Sequence, residues 1–339
     1  MKVKLQSKPW HIIGAGALGC LWIYYCRASG LDLTVLLRNR ARLAEFTGLG
    51  GVALLLDGEP ELQACAAQLS EQLAAAQAPV PIEQLIICCK AQQTASAFAS
   101  VANLLAKNAT VLLLQNGMGV AEELLAVKPG MSLFCGVSTD GAHLVSPFTV
   151  QRAGVGVTRI GLFPAEPGMA MSRELCELLA AEGLALEPCA NIKLAQWQKL
   201  AVNAVINPLT ALFDINNGKL LTLAEPNAMV APLCAEIASV AGAESIALNA
   251  DSIEAEVHRV CRLTSANISS MLQDVRQRRD TELAYINGYL QRCAARHGID
   301  TPLNRQLISK LEQHRKTVAN RAPTPQPAHI SLAKAKPLL

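Results

Sequence analysis

Charge is sparse in this sequence. Of 339 residues only 17% are Asp, Glu, Lys or Arg, the net charge is +3, and the basic residues are scattered rather than gathered into stripes. A nucleic-acid surface needs a basic patch, so no nucleic-acid partner is expected. No run reaches the roughly 18 uninterrupted apolar residues of a membrane span, which excludes a membrane partner of that kind. The eleven cysteines include no CxxC pair and no histidine at zinc-ligand spacing, and their odd number suits no disulfide framework. Reduced thiols, no metal and a soluble, cytoplasmic protein follow as expectations. The opening MKVKLQSKPWHIIGAGALGCLWIYYCRASG has the outline of a secretory signal, but glycines at 14, 16 and 19 argue for another role. Internal repeats are also lacking.

The length exceeds what one hydrophobic core usually organises, so two domains with a cleft between them are expected. Short apolar runs at Trp10 to Ile13, Leu33 to Leu37, Leu85 to Cys89, Thr110 to Leu114 and Leu133 to Val137 alternate with stretches long enough for crossover helices. Continuous rather than alternating hydrophobicity suits strands buried on both faces, which predicts an α/β doubly wound parallel sheet. The glycine-rich FTVQRAGVGVTRIG, residues 148 to 161, reads as an extended segment or hairpin. Beyond about residue 190 helical patterns take over. The expected organisation is a Rossmann-type nucleotide domain over 1–190, an all-helical domain over 191–318 and a proline-rich, poorly ordered tail over 319–339.

Gly14, Ala15, Gly16, Ala17, Leu18 and Gly19 form a GxGxxG loop between a strand and a helix that stops at Gly30. In that context the first glycine permits a tight turn, the second lets backbone approach a pyrophosphate, and the third lets helix and strand pack closely. The helix N-terminus then faces the anion with unpaired N–H groups. At the end of the next strand an NAD site usually offers an acid to the ribose; here TVLLRNR supplies Arg38 and Arg40 and no acid. A guanidinium suits a 2′-phosphate, so NADP (NADPH) is favoured over NAD. Two further strand ends carry polar tips, Lys90 with Gln93, and Asn116 before Gly117 and Gly119. Ordinary turn chemistry would explain these alone, but ligands of open α/β sheets sit beyond the carboxyl ends of strands.

KLAVNAVINPLTAL, residues 199 to 212, is apolar almost all round yet carries Lys199, Asn203 and Asn207 four apart, one narrow polar stripe on a helix. Burying an ammonium without a partner costs several kcal/mol, so the stripe needs a target. Facing the cleft, it offers a cation and two amides to a small anionic substrate, and desolvation lowers the lysine toward a useful proton donor. A lysine that merely snorkels to water is the competing reading. Pro208 predicts a kink or break at Asn207. Further on, Ser269 and Ser270 offer hydroxyls, Asp274 is spaced to pair with an arginine such as Arg278, and Glu282 reads as a first-turn carboxylate of a helix running to about His297.

The succession GAGALG, CCKAQQT, QNGMG, KLAVNAVINPLTAL, SSMLQDV and TELAYINGY closely resembles the 2-dehydropantoate 2-reductases, or ketopantoate reductases, over about residues 10 to 315. The resemblance implies reduction of 2-dehydropantoate to (R)-pantoate with NADPH, a step toward pantothenate and coenzyme A. It implies that Lys199 is the catalytic proton donor and that Glu282 is the acid near the reacting end of the cofactor. Asn203, Asn207, Asn217 and Ser270 match substrate-binding positions; Arg38, Lys90, Asn116 and Ala142 match NADPH-contact positions, with Gln93 beside them. The sequence departs from many relatives where VQRAGVG places Arg152 instead of a histidine. A small-molecule substrate and a monomer or homodimer are expected. A reductase of another 2-keto acid, or a non-catalytic NADP-binding sensor, remain the alternatives.

Overall fold

The computed structural model of the protein describes residues 8–75, 80–164 and 168–320. The chain opens with β1 (Trp10–Ile13), α1 (Ala17–Ala28), β2 (Leu33–Leu37) and α2 (Arg40–Leu49). It continues through β3 (Gly51–Leu56), β4 (Glu59–Ala64), β5 (Ala66–Leu69), the short α3 (Ser70–Ala74), β6 (Ile82–Ile87) and α4 (Ala91–Ala99). Then come β7 (Leu105–Leu114), α5 (Val120–Val127), β8 (Ser132–Ser138), β9 (Gly141–Ser146), β10 (Thr149–Gly154), β11 (Val157–Phe163), α6 (Met169–Leu178) and β12 (Ala185–Pro188).

The large sheet has the order β12-β11-β8-β7-β6-β1-β2-β5 and is parallel from β8 to β5, with β11 antiparallel to β8. From β1 the chain steps to β2 on one side and later returns to β6 on the other. The strand order therefore reverses between β1 and β6, where an open α/β sheet leaves its ligand crevice. The fold is a Rossmann-type doubly wound sheet followed by helices.

A second sheet, β4-β3-β10-β9, lies outside the expected elements. It packs Val52, Leu54, Phe148 and Val150 against α1, whose other side meets Ile12 and Val35 of the large sheet. Sandwiched in this way, α1 buries an unbroken run from Gly19 to Tyr24, which explains the signal-like oiliness of the opening segment. Residues 148–161 do not form a hairpin. β10 pairs with β3 and β9 in the small sheet, while β11 pairs with β8 and β12 in the large one. Gly156 makes this change of sheet possible, because a Cβ there would overlap the backbone of Thr139 and Asp140.

From Ile192 onward every element among the described residues is helical. α7 (Ile192–Phe213) is followed by a 3-10 turn at Asn217–Leu221, then α8 (Ala224–Ala228), α9 (Val230–Ala243), α10 (Ala250–Leu263) and α11 (Ser270–Arg276). A 3-10 turn at Leu283–Tyr285, α12 (Asn287–Arg296) and α13 (Pro302–Asn320) complete it. Of the stretch expected as a tail, the first two residues extend α13 and 321–339 lie outside the described residues. All eleven cysteines are free thiols. No helix among the described residues is long and apolar enough to cross a membrane.

α7 is the axis of the helical half, with Trp197, Leu200, Val205 and Leu209 at the centre of its core. Pro208 lies inside this helix, which runs on past it, so of the expected kink or break the break does not occur. Proline removes the N–H that would serve the carbonyl of Ala204. Asn287 of α12 replaces it: its Nδ2 donates to the Ala204 carbonyl at 2.9 Å. Thr210 secures the following turn by donating its hydroxyl to the Ile206 carbonyl at 2.7 Å.

Candidate active site

The glycine loop lies at the strand-order reversal. Gly14 has φ +102°, and a Cβ on it would press on the Cys88–Cys89 backbone at the end of β6. Gly19 abuts the Gly14 carbonyl so closely that a side chain there would overlap it. Gly16, which caps α1, is different: a Cβ would meet nothing within 4 Å. Two of the glycines are thus required by packing, while the third leaves the backbone bare toward open space at a helix N-terminus. A pyrophosphate fits such a cradle. Arg38 stands exposed at the end of β2, and Asn39 caps α2 by accepting from the Arg42 N–H at 2.9 Å. No carboxylate among the described residues pairs with Arg38.

Three segments meet across the boundary between the sheet and the helices. Lys90, at the N-terminus of α4, is ion-paired with Asp274 of α11. Glu282 is buried; its Oε1 accepts from the Ala91 N–H at 3.1 Å and its Oε2 from Asn116 Nδ2 at 3.3 Å. Gly117, at φ +83°, lets the loop after β7 approach Tyr285, whose carbonyl accepts from the Met118 N–H at 2.9 Å. This docking corrects the helix expected at Glu282. The residue precedes a 3-10 turn, and α12 begins only at Asn287, because the intervening backbone turns to meet the sheet domain. Asp274 takes Lys90 and Arg279 as partners, the latter at 2.8 Å, so the arginine that meets the expected pairing is Arg279.

Lys199, half-buried on α7, donates from Nζ to the carbonyl of Ser138 at the end of β8, at 2.6 Å. Burial lowers its pKa to about 8, and the negative charges of Glu282 and Asp140 oppose that shift. Glu282 moves the other way: burial raises its pKa above the usual carboxylate value, against the Ala91 N–H, Asn116, Lys90 and Lys199. A desolvated acid and a desolvated amine therefore face each other electrostatically, each sustaining the charged form of the other. An amine near neutrality can give up a proton to a developing alkoxide.

The remaining expected residues fall around this centre unevenly. Asn203 and the buried Asn207 share the Lys199 face of α7. Asn217 is buried at the start of its 3-10 turn, donating Nδ2 to Thr264 Oγ1 at 2.9 Å and leaving its Oδ1 without a partner among the described residues. Ser270 is exposed at the first position of α11, whereas Ser269 is committed to capping that helix and to a 2.7 Å contact with Thr210. Gln93 is exposed on α4; Gln92 instead spans the boundary, donating to the Asp280 carbonyl at 3.0 Å. Ala142 is on β9 in the small sheet, opposite Arg152 and packed toward α1. Sequence reading missed Asp140, although it is a polar tip at the end of a sheet strand, the same signal that singled out Lys90 and Asn116.

Known proteins share this sequence pattern and fold. Residues 10–165 match the family model "Ketopantoate reductase PanE/ApbA" and residues 191–315 match "Ketopantoate reductase PanE/ApbA C terminal". A 2-dehydropantoate 2-reductase of Yersinia pestis is 34% identical over 89% of this chain and 93% of its own length. Among solved structures, a PanE/ApbA family ketopantoate reductase from Ralstonia eutropha JMP134 superposes with TM-score 0.80 at 25% identity, covering 92% of this chain and 100% of the other. D-mandelate dehydrogenase, solved with NADH and anilino(oxo)acetate, has the same fold at TM-score 0.84 and 24% identity, covering 93% and 100%. From its glycine loop to its last helices, the chain belongs to the ketopantoate reductase family and is a nicotinamide-dependent oxidoreductase.

Proposed function

We propose that the protein reduces 2-dehydropantoate to (R)-pantoate with NADPH. The observation that carries this reading is the desolvated Lys199 ammonium, with a pKa lowered to about 8 and Glu282 as its counter-charge, on the helical wall of a crevice headed by the glycine loop. The similarity to a 2-dehydropantoate 2-reductase along nearly the whole chain supports the choice of substrate.

NADPH, when bound, supplies the hydride that reduces the C2 carbonyl. The bare backbone at Gly16 and the N-terminus of α1 would receive its pyrophosphate, and Arg38 its 2′-phosphate. Lys90 and Asn116 would hold the nicotinamide half. Asn203, Asn207, Asn217 and Ser270 would bind the carboxylate and hydroxyl of the substrate. Lys199 stabilises the negative charge growing on the C2 oxygen and transfers its Nζ proton there. Glu282 keeps that ammonium charged in a site whose burial favours the neutral amine.

A panel of 2-keto acids assayed with NADPH and NADH tests the reading. Turnover of 2-dehydropantoate should exceed that of keto acids lacking its hydroxyl by about four decades in kcat/KM, the discrimination expected when a site hydrogen-bonds a substrate hydroxyl. Preference for another keto acid would refute the substrate; tight NADPH binding without oxidation by any of them would refute catalysis. Arg38→Asp should weaken NADPH much more than NADH, and equal weakening would remove Arg38 from the 2′-phosphate site.

A further inference from the structure

The carbonyl that receives Lys199 belongs to a turn held by a buried ion pair that catalysis as described does not use. Asp140 follows Ser138 by two residues, its side chain 1% exposed. Its Oδ2 accepts from the Ser138 hydroxyl at 3.1 Å, and its N–H donates to the same hydroxyl oxygen at 3.2 Å. Its Oδ1 accepts from the Gly156 N–H at 3.1 Å and from Arg152. Arg152, its side chain 12% exposed, extends from β10 and donates also to the Gly183 carbonyl at 2.8 Å and to the Tyr25 hydroxyl at 3.3 Å. Tyr25 is on α1, the helix that the glycine loop caps.

A buried ion pair is weak evidence for stability, since apolar residues of the same volume often do as well. The position of this one is more informative. One end of the network fixes the Ser138 carbonyl, 2.6 Å from Lys199 Nζ, and the other is anchored on the cofactor helix. We propose that Asp140 and Arg152 are a positioning pair for Lys199: the carboxylate fixes the turn that receives the ammonium, and the guanidinium fixes and partly neutralises the carboxylate. The Arg152 guanidinium is a permanent cation, so the field it sets at this turn does not change with pH around neutrality.

The charges that reach Lys199 are Asp140 from the turn after β8 and Glu282 from the turn before α12, with Lys90 acting through Glu282 and Arg152 through Asp140. Asp140 raises the lysine, and by the sign of its charge Arg152 is expected to lower it, a pair of opposite effects that a purely structural role would not produce. The inference rests on Lys199 being the proton donor, so two readouts are needed. Trace acetylation of Lys199 with acetic anhydride across pH, quantified by peptide mass spectrometry, titrates the amine directly. The alkaline limb of kcat/KM with 2-dehydropantoate titrates it through turnover.

Asp140→Asn should move the lysine titration down by about half to one pH unit, a roughly three- to tenfold change in its protonation ratio. Arg152→Gln should move it up by a similar amount, Arg152→Lys should leave it near the wild-type value, and the double variant D140N/R152Q should fall between the single ones. If Asp140→Asn fails to fold with its arginine stranded, Arg152→Gln and the neutral double variant carry the same test. Shifts of one sign in both single variants, or none in the acetylation profile, overturn the positioning pair. If the acetylation profile shifts as stated but the kinetic limb does not follow, the pair stands as a setter of the lysine charge and Lys199 fails as the donor.

Discussion

Replacing Asn287 by Leu tests how α7 carries a proline without breaking. Asn287 is fully buried, and its Nδ2 serves both the Ala204 carbonyl and Asn304 Oδ1, each at 2.9 Å. Leucine fills a similar volume but strands two buried acceptors, at about 1–3 kcal/mol each. The Oδ1 of Asn287 is itself buried without a partner, so losing it recovers part of that cost. The net loss should be about 2–4 kcal/mol, read by equilibrium urea unfolding followed through tryptophan fluorescence and far-UV circular dichroism. A double-mutant cycle is the sharper test. Pro208→Ala restores an N–H that can reach the Ala204 carbonyl, so Asn287→Leu in that background should cost less by about 1–2 kcal/mol. An equal cost in both backgrounds would show that the amide does not substitute for the missing proline donor.

Lys199→Ala should lower kcat by about two to four decades, the usual contribution of a general acid, with NADPH affinity measured by fluorescence titration left within a few fold. The donor must be protonated, so activity should fall as pH rises through about 8, and Glu282→Gln, which removes a charge that raises the lysine, should move that alkaline limb lower. Rate profiles from pH 6 to 10 check both; an upward displacement in Glu282→Gln would contradict the assigned electrostatics. Gly16→Ala should keep the melting temperature while weakening NADPH at least tenfold, because its Cβ meets only open space in the protein. Gly19→Ala should destabilise the fold itself, since that Cβ collides with the Gly14 carbonyl. Differential scanning calorimetry and NADPH titration separate the two glycines.

The frame of the fold is legible because its strands are buried on both faces. Trp10–Ile13 and Leu33–Leu37 are found where their apolar runs begin and end. The small sheet escapes the same reasoning because Gly51–Leu56 occupies a stretch that otherwise suits a crossover helix. One local signal does reveal it: Asp57-Gly58, at φ +48° and +89°, is the Asp-Gly pair favoured in tight hairpin turns and joins β3 to β4. Lys199 is legible as a site residue because an ammonium on an oily helix demands a partner. Glu282 is not, because its chemistry comes from Ala91 and Asn116, which no local pattern connects to it. Pro208 shows the limit most plainly. Its local consequence, a missing donor, is certain from sequence, but the amide that cancels it lies 83 residues beyond the Ala204 carbonyl it serves.

The contacts that hold Glu282 bear on how this protein can be altered by recombination. The acid, its N–H donor and the Lys90–Asp274 pair join positions 166 to 191 residues apart in the chain. A hybrid joined near the end of the sheet domain would draw Lys90, Ala91 and Asn116 from one parent and Asp274, Glu282 and Tyr285 from the other. The break in the chain that looks most modular would thus divide a single functional block. Productive chimeras should be those in which both sets of positions come from one parent, while the segments between them are free to come from either.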